Sequence, residues 1–226
     1  MDYNSIIFDM DGVILNSVSE DQKWKYDAVK DSIKELGADP EDISKEELDK
    51  ILGDKGYGEC IKTCNKYGLN PRKAWKLIAE KTTLARIEKM KQGDFKLYEG
   101  VNNTLEKIRR CNIKAAVISN APESAVEATI QEYDLGKCFK FYRGIRNFED
   151  LRDRKPHPNH LEIAKAELGS GPYLYVGDSE SDIKAAKNAE VSSMWVHSRN
   201  NQLNEKPDYT IEKISELSEK LELENN

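Results

Sequence analysis

The sequence lacks the features of several large classes of protein. No apolar run approaches the roughly 18–20 residues of a membrane-spanning helix. The first residues, Met1 to Asn4, lack the basic start of a signal peptide. Basic residues are in the minority, with 35 Lys and Arg against 41 Asp and Glu and a net charge of −6. We therefore expect a cytoplasmic protein that contacts neither nucleic acid nor a membrane, and that binds any anionic substrate through local cations.

Cysteine and histidine are scarce as well, with four cysteines and three histidines in 226 residues. Cys60 and Cys64 would share one face of a helix, but no histidine or further cysteine lies near enough to complete a zinc site. We therefore expect free, buried thiols. His157 and His160 are expected to have no role in the chemistry.

A short stretch near the start of the chain organises the rest. The apolar run of Ile6, Ile7 and Phe8 predicts a buried strand that ends at Asp9 and Asp11, before the turn-forming Gly12. Side chains two residues apart on extended backbone point to the same side, so these carboxylates converge and need a compensating charge. Mg²⁺ is the natural partner of such oxygen ligands. A turn in which the aspartates only cap backbone amides is the alternative.

Residues 17–92 predict four helices and no strand. Capping-box patterns begin at Ser17, with Glu20 three residues later, and at Ser44, with Glu47 three residues later. A further helix begins after Asn70 and carries Trp75, Ile78, Thr82, Ala85 and Met90 along one face.

From residue 93 onward the pattern alternates between strand and helix, which predicts βαβ units around a parallel sheet. The predicted strands span 113–119, 138–142, 173–176 and 192–196, and the predicted helices span 122–133, 161–168 and 183–189. A last helix is predicted to carry Ile211, Ile214, Leu217 and Leu221. The expected fold class is α/β, with a doubly wound parallel sheet formed by residues 1–16 and 93–226. Residues 17–92 are expected to form a helical domain inserted after the first strand.

Polar groups stand where several predicted strands end. Ser119 and Asn120 follow one strand, Asp178 follows another, and Asp182 comes one helical turn later. Lys155 lies in a loop just before a helix. Ligands of open α/β sheets bind beyond the carboxyl ends of the strands, so these groups and the aspartate pair predict a site for Mg²⁺ and a phosphoryl group.

These residues form four motifs in a fixed order, and with them the sequence resembles the haloacid dehalogenase superfamily. The resemblance covers the whole chain and is closest to capped phosphatases of the phosphoglycolate phosphatase and β-phosphoglucomutase-like group, which have a Rossmann-like core. The motifs are Asp9-Met10-Asp11-Gly12-Val13, Ile118-Ser119-Asn120, Lys155-Pro156-His157-Pro158, and Val176-Gly177-Asp178-Ser179-Glu180-Ser181-Asp182.

The resemblance implies a catalytic role for the first motif. Asp9 would be the nucleophile and form an aspartyl-phosphate. Asp11 would protonate the leaving oxygen and then activate the hydrolytic water, while its backbone carbonyl contacts the metal.

The other motifs would supply the binding groups. Mg²⁺ would be held by Asp9, Asp11 and Asp178, with Asp182 acting through a metal-bound water or by holding Lys155. Ser119, the Asn120 amide and Lys155 would bind the phosphate.

The substrate would be a small phosphorylated metabolite of the phosphoglycolate or sugar phosphate type. A phosphomutase is the first alternative, disfavoured because the region where such relatives carry a histidine reads Glu20-Asp21. A non-catalytic module that binds phosphorylated ligands is the second. The inserted domain would set specificity, with Lys55 and Tyr57 as substrate contacts unless their glycine-rich loop is only a solvated turn. The expected assembly is a monomer or a homodimer.

Overall fold

The computed structural model describes residues 3–17, 22–169, 171–197 and 202–223. Six parallel strands form one sheet in the order β5-β4-β1-β6-β7-β8, and β2 pairs antiparallel with β3. In this part of the chain the strands are β1 (Ser5–Phe8), β2 (Leu15–Asn16), β3 (Lys96–Leu97), β4 (Lys114–Pro122), β5 (Phe141–Ile145), β6 (Tyr173–Gly177), β7 (Ser192–Val196) and β8 (Tyr209–Ile211).

Four helices lie between β2 and β3, and five follow β3. In chain order the described α-helices are α1 (Lys23–Glu35), α2 (Lys45–Leu52), α3 (Tyr57–Lys66), α4 (Pro71–Lys91), α5 (Val101–Arg110), α6 (Glu123–Glu132), α7 (Asn159–Leu168), α8 (Glu180–Asn188) and α9 (Leu217–Lys220). Three short 3₁₀ turns lie at Pro40–Asp42, Phe148–Arg152 and Ile214–Glu216. Among these helices, none has the length and apolar character to cross a membrane.

The strand β1 lies at the centre of the sheet, between β4 and β6. Its side chains alternate between the two faces: Ile6 and Phe8 pack into one apolar cluster, and Ile7 packs into another. All three are fully buried because helices cover both faces, as a parallel sheet requires. The predicted α/β class with a doubly wound parallel sheet is confirmed.

The four helices α1–α4 pack around an apolar cluster of their own. It includes Val29 and Ile33 of α1, Ile51 of α2 and Ile78 of α4, and it continues to Phe148 in the 3₁₀ turn after β5. The helical segment therefore has its own interior and also rests on the sheet region.

Local signals account for where these helices begin. Ser44 and Glu47 form the predicted capping box at α2, and the Asn70 side chain caps α4. Helix α1 begins at Lys23, after Gln22, whose side chain makes no capping hydrogen bond. Residues 18–20 of the capping box predicted there lie outside the described residues.

Two predictions from the sequence need correction. The last predicted helix is wrong at its start, because Ile211 ends β8, where it pairs with Val196 of β7. The three-residue spacing between Ile211 and Ile214 matches helical periodicity, but Ile211 is extended because it pairs with the neighbouring strand at the sheet edge. Of the cysteines, Cys60 and Cys64 are buried as predicted, whereas Cys111 is exposed because it ends the surface helix α5.

Candidate active site

The candidate site lies at the carboxyl edge of the three central strands. Asp9 follows β1 directly, Asp178 follows β6 directly, and Ser119 lies within β4. The Asp9 amide donates to the Val176 carbonyl at 2.9 Å, which fixes the end of β1 against β6. Because β4 and β6 flank β1, groups far apart in sequence meet here.

The ammonium group of Lys155 lies at the centre of the site and contacts three other side chains. Its Nζ atom lies 2.8 Å from Asp9 Oδ1, 2.6 Å from Asp182 Oδ1 and 2.9 Å from the Tyr175 hydroxyl oxygen. The side chain is 2% exposed. Asn120 holds the backbone of Lys155 on both sides, since its Oδ1 accepts from the amide at 2.8 Å and its Nδ2 donates to the carbonyl at 3.2 Å.

Charge pairing governs the protonation states in this network. Burial opposes the charge of Lys155, but the carboxylates of Asp182 and Asp9 outweigh it and raise the pKa of the ammonium. Burial also opposes the charge of Asp182, yet Lys155 and the hydrogen bonds from Ser179 and Tyr175 hold its pKa below the ordinary range. The Lys155–Asp182 pair is therefore ionised.

Asp9 differs from Asp182. Burial raises the pKa of Asp9 well above its ordinary value, the charges of Asp182 and Asp178 add to this effect, and Lys155 only partly offsets it. A second cation beside Asp9 would stabilise the ionised form of its carboxyl group.

The carboxylates of Asp9, Asp178 and Asp182 are buried, and one ligand atom from each lies within 4.8 Å of the others. Three carboxylates against the single ammonium of Lys155 leave an excess of negative charge, and an all-oxygen donor set suits Mg²⁺. The residues therefore fit a magnesium ion.

Asp182 serves this cluster as the support of Lys155. Its Oδ1 accepts from Lys155 and, at 2.9 Å, from the Tyr175 hydroxyl, while its Oδ2 accepts from the Ser179 amide at 3.0 Å and from the Ser179 hydroxyl. A side chain at Gly177 would place its Cβ 2.6 Å from Asp182 Cγ, so glycine is required for this close approach. Of the two roles predicted for Asp182, this geometry favours holding Lys155.

Asp11 faces a residue that the motif analysis missed. Arg86 of α4 donates to both carboxylate oxygens of Asp11, at 2.8 and 3.0 Å, and the Ser17 hydroxyl donates to Oδ1 as well. The Asp11 side chain is therefore not in the carboxylate cluster found among the described residues. Arg86 is a buried cation four residues after Thr82, on the helix face that was predicted to be apolar. A charged residue at such a position is the sequence feature that could have identified it.

Ser119 lies at the same edge of the sheet, in β4. Its side chain is buried, and its Oγ accepts from the Ala121 amide at 3.1 Å. Both polar atoms of the Asn120 side chain are hydrogen-bonded to the backbone of Lys155. The backbone amide of Asn120 is the group that was predicted to bind phosphate, and these side-chain contacts are compatible with that prediction. Tyr175 was not predicted, because only its contact with Asp182 distinguishes it from an ordinary strand residue.

A cavity of about 440 Å³ opens over these groups, between the sheet edge and the helical segment. The helical segment lines it with Trp24, Lys25, Asp54, Trp75 and Arg86, among others, and the loop before Lys155 adds Arg154.

The predicted substrate contacts Lys55 and Tyr57 are not among the described residues that line this cavity. Gly56 turns the chain with a φ of 94° into α3, so the Tyr57 ring packs on Phe148, with 4.8 Å between centroids, and lies at a separate shallow cavity. Asp54 is the residue of this loop that reaches the main cavity. It pairs with Lys25 at 2.7 Å and with Arg154 at 3.2 Å.

Comparisons with known proteins find the family that the four motifs predict. The model of the haloacid dehalogenase-like hydrolase family matches residues 6–196. A phosphoglycolate phosphatase of Pseudomonas putida is 28% identical over 190 residues, which cover 82% of this chain and 66% of that protein. The pyrophosphatase PpaX of Oceanobacillus iheyensis is 27% identical over 225 residues, 96% of each chain.

Solved structures share the fold. CbbY from Rhodobacter sphaeroides, in complex with phosphate, aligns with a TM-score of 0.71 at 20% identity over 95% of this chain and 96% of its own. A haloacid dehalogenase-type phosphatase from Thermococcus onnurineus aligns with a TM-score of 0.67 at 20% identity over 99% and 100%. The phosphatase relatives support the predicted enzyme class, a phosphoric monoester hydrolase. The chain belongs to the family of haloacid dehalogenase-like hydrolases.

Proposed function

We propose that this protein is a Mg²⁺-dependent phosphatase that hydrolyses a small phosphorylated metabolite through an aspartyl-phosphate on Asp9. The observation that carries the proposal is the Lys155 ammonium, which lies within 2.8 Å of both Asp9 and Asp182 at the carboxyl edge of the sheet. Related proteins named as phosphoglycolate phosphatases support a substrate of the phosphoglycolate or sugar phosphate type.

Asp9 attacks the phosphorus atom, and the bond to the leaving ester oxygen breaks as the new bond to Asp9 Oδ forms. Lys155 and Ser119 bind the phosphoryl oxygens and orient the group in line. Mg²⁺, when held by Asp9 and Asp178, supplies positive charge against the phosphoryl oxygens. Asp182 and Asn120 keep Lys155 in place.

Asp11 serves the two proton transfers. It gives a proton to the leaving oxygen in the first step and takes one from the attacking water in the second, which releases inorganic phosphate and restores Asp9.

The helical segment completes the proposed site. Residues 17–92 act as a cap domain, and residues 1–16 and 93–226 form the catalytic domain. The separate apolar interior of α1–α4 and the cap residues that line the cavity support this division.

The test is phosphate release from a panel of small phosphate esters, with Mg²⁺ and with EDTA. The wild-type protein should turn over at least one ester, and EDTA should abolish the activity. Asp9→Asn should lower kcat by roughly 10³-fold or more, as expected for loss of a nucleophile. Asp27→Asn, at an exposed position of α1, is the matched control and should retain full activity.

A phosphorylated enzyme should also accumulate in the wild-type protein after rapid acid quench, and it should be missing from Asp9→Asn. Turnover that survives Asp9→Asn, or that is unchanged by EDTA, would contradict the proposal.

A further inference from the structure

The loop between β5 and α7, which carries Lys155, begins inside the helical segment. Phe148 and Leu151 lie in the 3₁₀ turn of this loop, and both are buried in the apolar cluster of α1–α4. The turn contacts α3 and α4. A Cβ at Gly53 would lie 2.8 Å from a methyl carbon of Leu151, so the backbone before α3 lies directly against this side chain. The first half of the loop is therefore part of the interior of the helical segment.

The second half of the same loop belongs to the active site. Asn120 binds the amide and the carbonyl of Lys155, as described above. The Asn188 side chain of α8 donates to the carbonyl of Pro156 at 2.9 Å. Three residues lie between Leu151 and Lys155. The chain thus passes within one short stretch from the interior of the helical segment to the edge of the sheet.

Arg154 lies at this junction and is bonded to the helical segment. Its Nη1 donates to the carbonyl of Gly53, and its Nη2 donates to Asp54 Oδ1 at 3.2 Å. Asp54 also accepts from Lys25 of α1 at 2.7 Å. The Arg154 side chain is 15% exposed, so this network is better shielded from solvent than an ordinary surface ion pair. The guanidinium makes both contacts at once because its donors form a rigid fork.

These contacts join the position of Lys155 to that of the helical segment. Arg154 directly precedes Lys155, and consecutive Cα atoms are held about 3.8 Å apart by the peptide bond. A displacement of the helical segment that moves Arg154 therefore also moves the backbone of Lys155. An error of about 1 Å in the position of a reacting or binding group can cost roughly 100-fold in rate.

We infer that Arg154 is a positioning residue, which makes the placement of the Lys155 ammonium depend on the docking of the helical segment through Gly53 and Asp54. This inference rests on the proposed function for the role of Lys155, and it gives the helical segment a part in the chemistry besides lining the cavity. Arg154 acts through Lys155, and Lys155 binds the phosphoryl group that all substrates share.

The first test compares kcat/KM of the wild-type protein, Arg154→Met and Arg154→Lys for every ester that the wild-type protein hydrolyses. Arg154→Met should lower kcat/KM by roughly 10- to 100-fold, and by the same factor for each ester. Arg154→Lys keeps a cation beside Asp54 and should recover part of the loss. A loss that varies strongly from one ester to another would show that Arg154 contacts the leaving group, and it would overturn the inference.

Arg72→Gln is the matched control. Arg72 of α4 pairs with Glu149 at 2.6 Å, so it also joins the helical segment to the 3₁₀ turn, but the two side chains are 70% and 47% exposed. Glu149 lies six residues before Lys155. Because exposed ion pairs contribute little, Arg72→Gln should keep the wild-type kcat/KM. A loss equal to that of Arg154→Met would contradict a specific role of Arg154.

The second test measures the placement of Lys155 without turnover. Its amide donates to Asn120 Oδ1 at 2.8 Å, so amide hydrogen exchange followed by NMR reports whether this contact is kept. After correction for intrinsic rates, exchange at Lys155 should be roughly 10-fold or more faster in Arg154→Met than in the wild type and Arg72→Gln, while β1 keeps its rates. Unchanged protection of this amide overturns the inference. If no ester is hydrolysed, the proposed function fails, and this measurement still decides whether Arg154 holds Lys155 in place.

Discussion

The sheet region and the helical segment bury different kinds of side chain. At the edge of the sheet the buried residues include Asp9, Lys155, Asp178 and Asp182. The interior of α1–α4 is formed by aliphatic and aromatic groups and two thiols, with a few hydroxyls. Among the described residues of the helical segment, Arg86 is the only buried charged side chain, and it points to Asp11 of the sheet region.

This difference shows that the two regions are stabilised by different interactions. Burying charges is costly unless they are paired and hydrogen-bonded, and the sheet edge meets that condition through one connected network. The helical segment has a conventional apolar interior, so its fold depends on packing and its chemistry depends on the residues that face the cavity.

The largest effect on stability should come from breaking the buried network. Lys155→Met leaves Asp9 and Asp182 without their ammonium partner, and it should lower the free energy of unfolding by about 3–5 kcal/mol. Lys62→Met removes a 79% exposed lysine from α3 and should change it by less than about 0.5 kcal/mol. Urea denaturation in EDTA at pH 8 measures both. Equal effects of the two substitutions would show that the buried network contributes no more to stability than an exposed lysine does.

Packing in the helical segment should follow next. Ile51→Ala empties space in the apolar cluster of α1–α4 and should cost about 2–4 kcal/mol. If the segment is a domain of its own, amide hydrogen exchange should accelerate roughly 30-fold or more in α2–α4 while β1 and β4 keep their rates.

Ile7→Ala is the matched control in the sheet and should accelerate exchange in β1 and β4. Uniform acceleration of the whole chain by Ile51→Ala would contradict the division into two domains.

The pH dependence of stability should arise in the sheet region, since all three histidines lie outside residues 17–92. Burial lowers the pKa of His160 from 6.5 to about 4, and the positive charge of Arg143 adds to the shift. The unfolded chain therefore binds the proton more readily, so stability present above pH 6.5 is lost as the pH falls toward 4. Between pH 7 and pH 5 this loss should be about 2 kcal/mol.

His160→Phe cannot take up a proton and should flatten this part of the profile. Denaturant unfolding of both proteins at pH 7 and pH 5 measures the difference, and His157→Asn, at an exposed position, should keep the wild-type dependence. A profile that is the same with and without His160 would show that other groups control it.

The smallest effect separates two capping residues. Ser44 caps α2 in the helical segment, and Ser179 immediately precedes α8 and donates from its hydroxyl to Asp182. Ser44→Ala should cost about 1 kcal/mol of stability and leave kcat unchanged. Ser179→Ala should cost a similar amount but also lower kcat, because Asp182 holds Lys155. Equal kcat values in the two variants would show that Ser179 does not affect the reaction through Asp182.

Motifs and periodicity predicted much of this molecule. The family and the α/β class with a parallel sheet are confirmed, and the four helices before residue 93 are present. The residues Asp9, Lys155, Asp178 and Asp182 were found from three of the four short motifs, and they do meet at one edge of the sheet. Errors arose where short-range spacing was misleading, as at Ile211, whose helical spacing gave way to pairing with Val196.

The sequence by itself determined the class of fold and the set of reactive groups, because hydrophobic period, caps and strand-end motifs are local signals. Only the tertiary structure decided which groups touch. It turned Asp182 to Lys155, brought Arg86 from 75 residues away to Asp11, and placed Asp54 rather than Lys55 or Tyr57 at the cavity. These contacts depend on how α4 and the loops pack against the sheet, and packing between distant segments leaves no periodic trace in the chain.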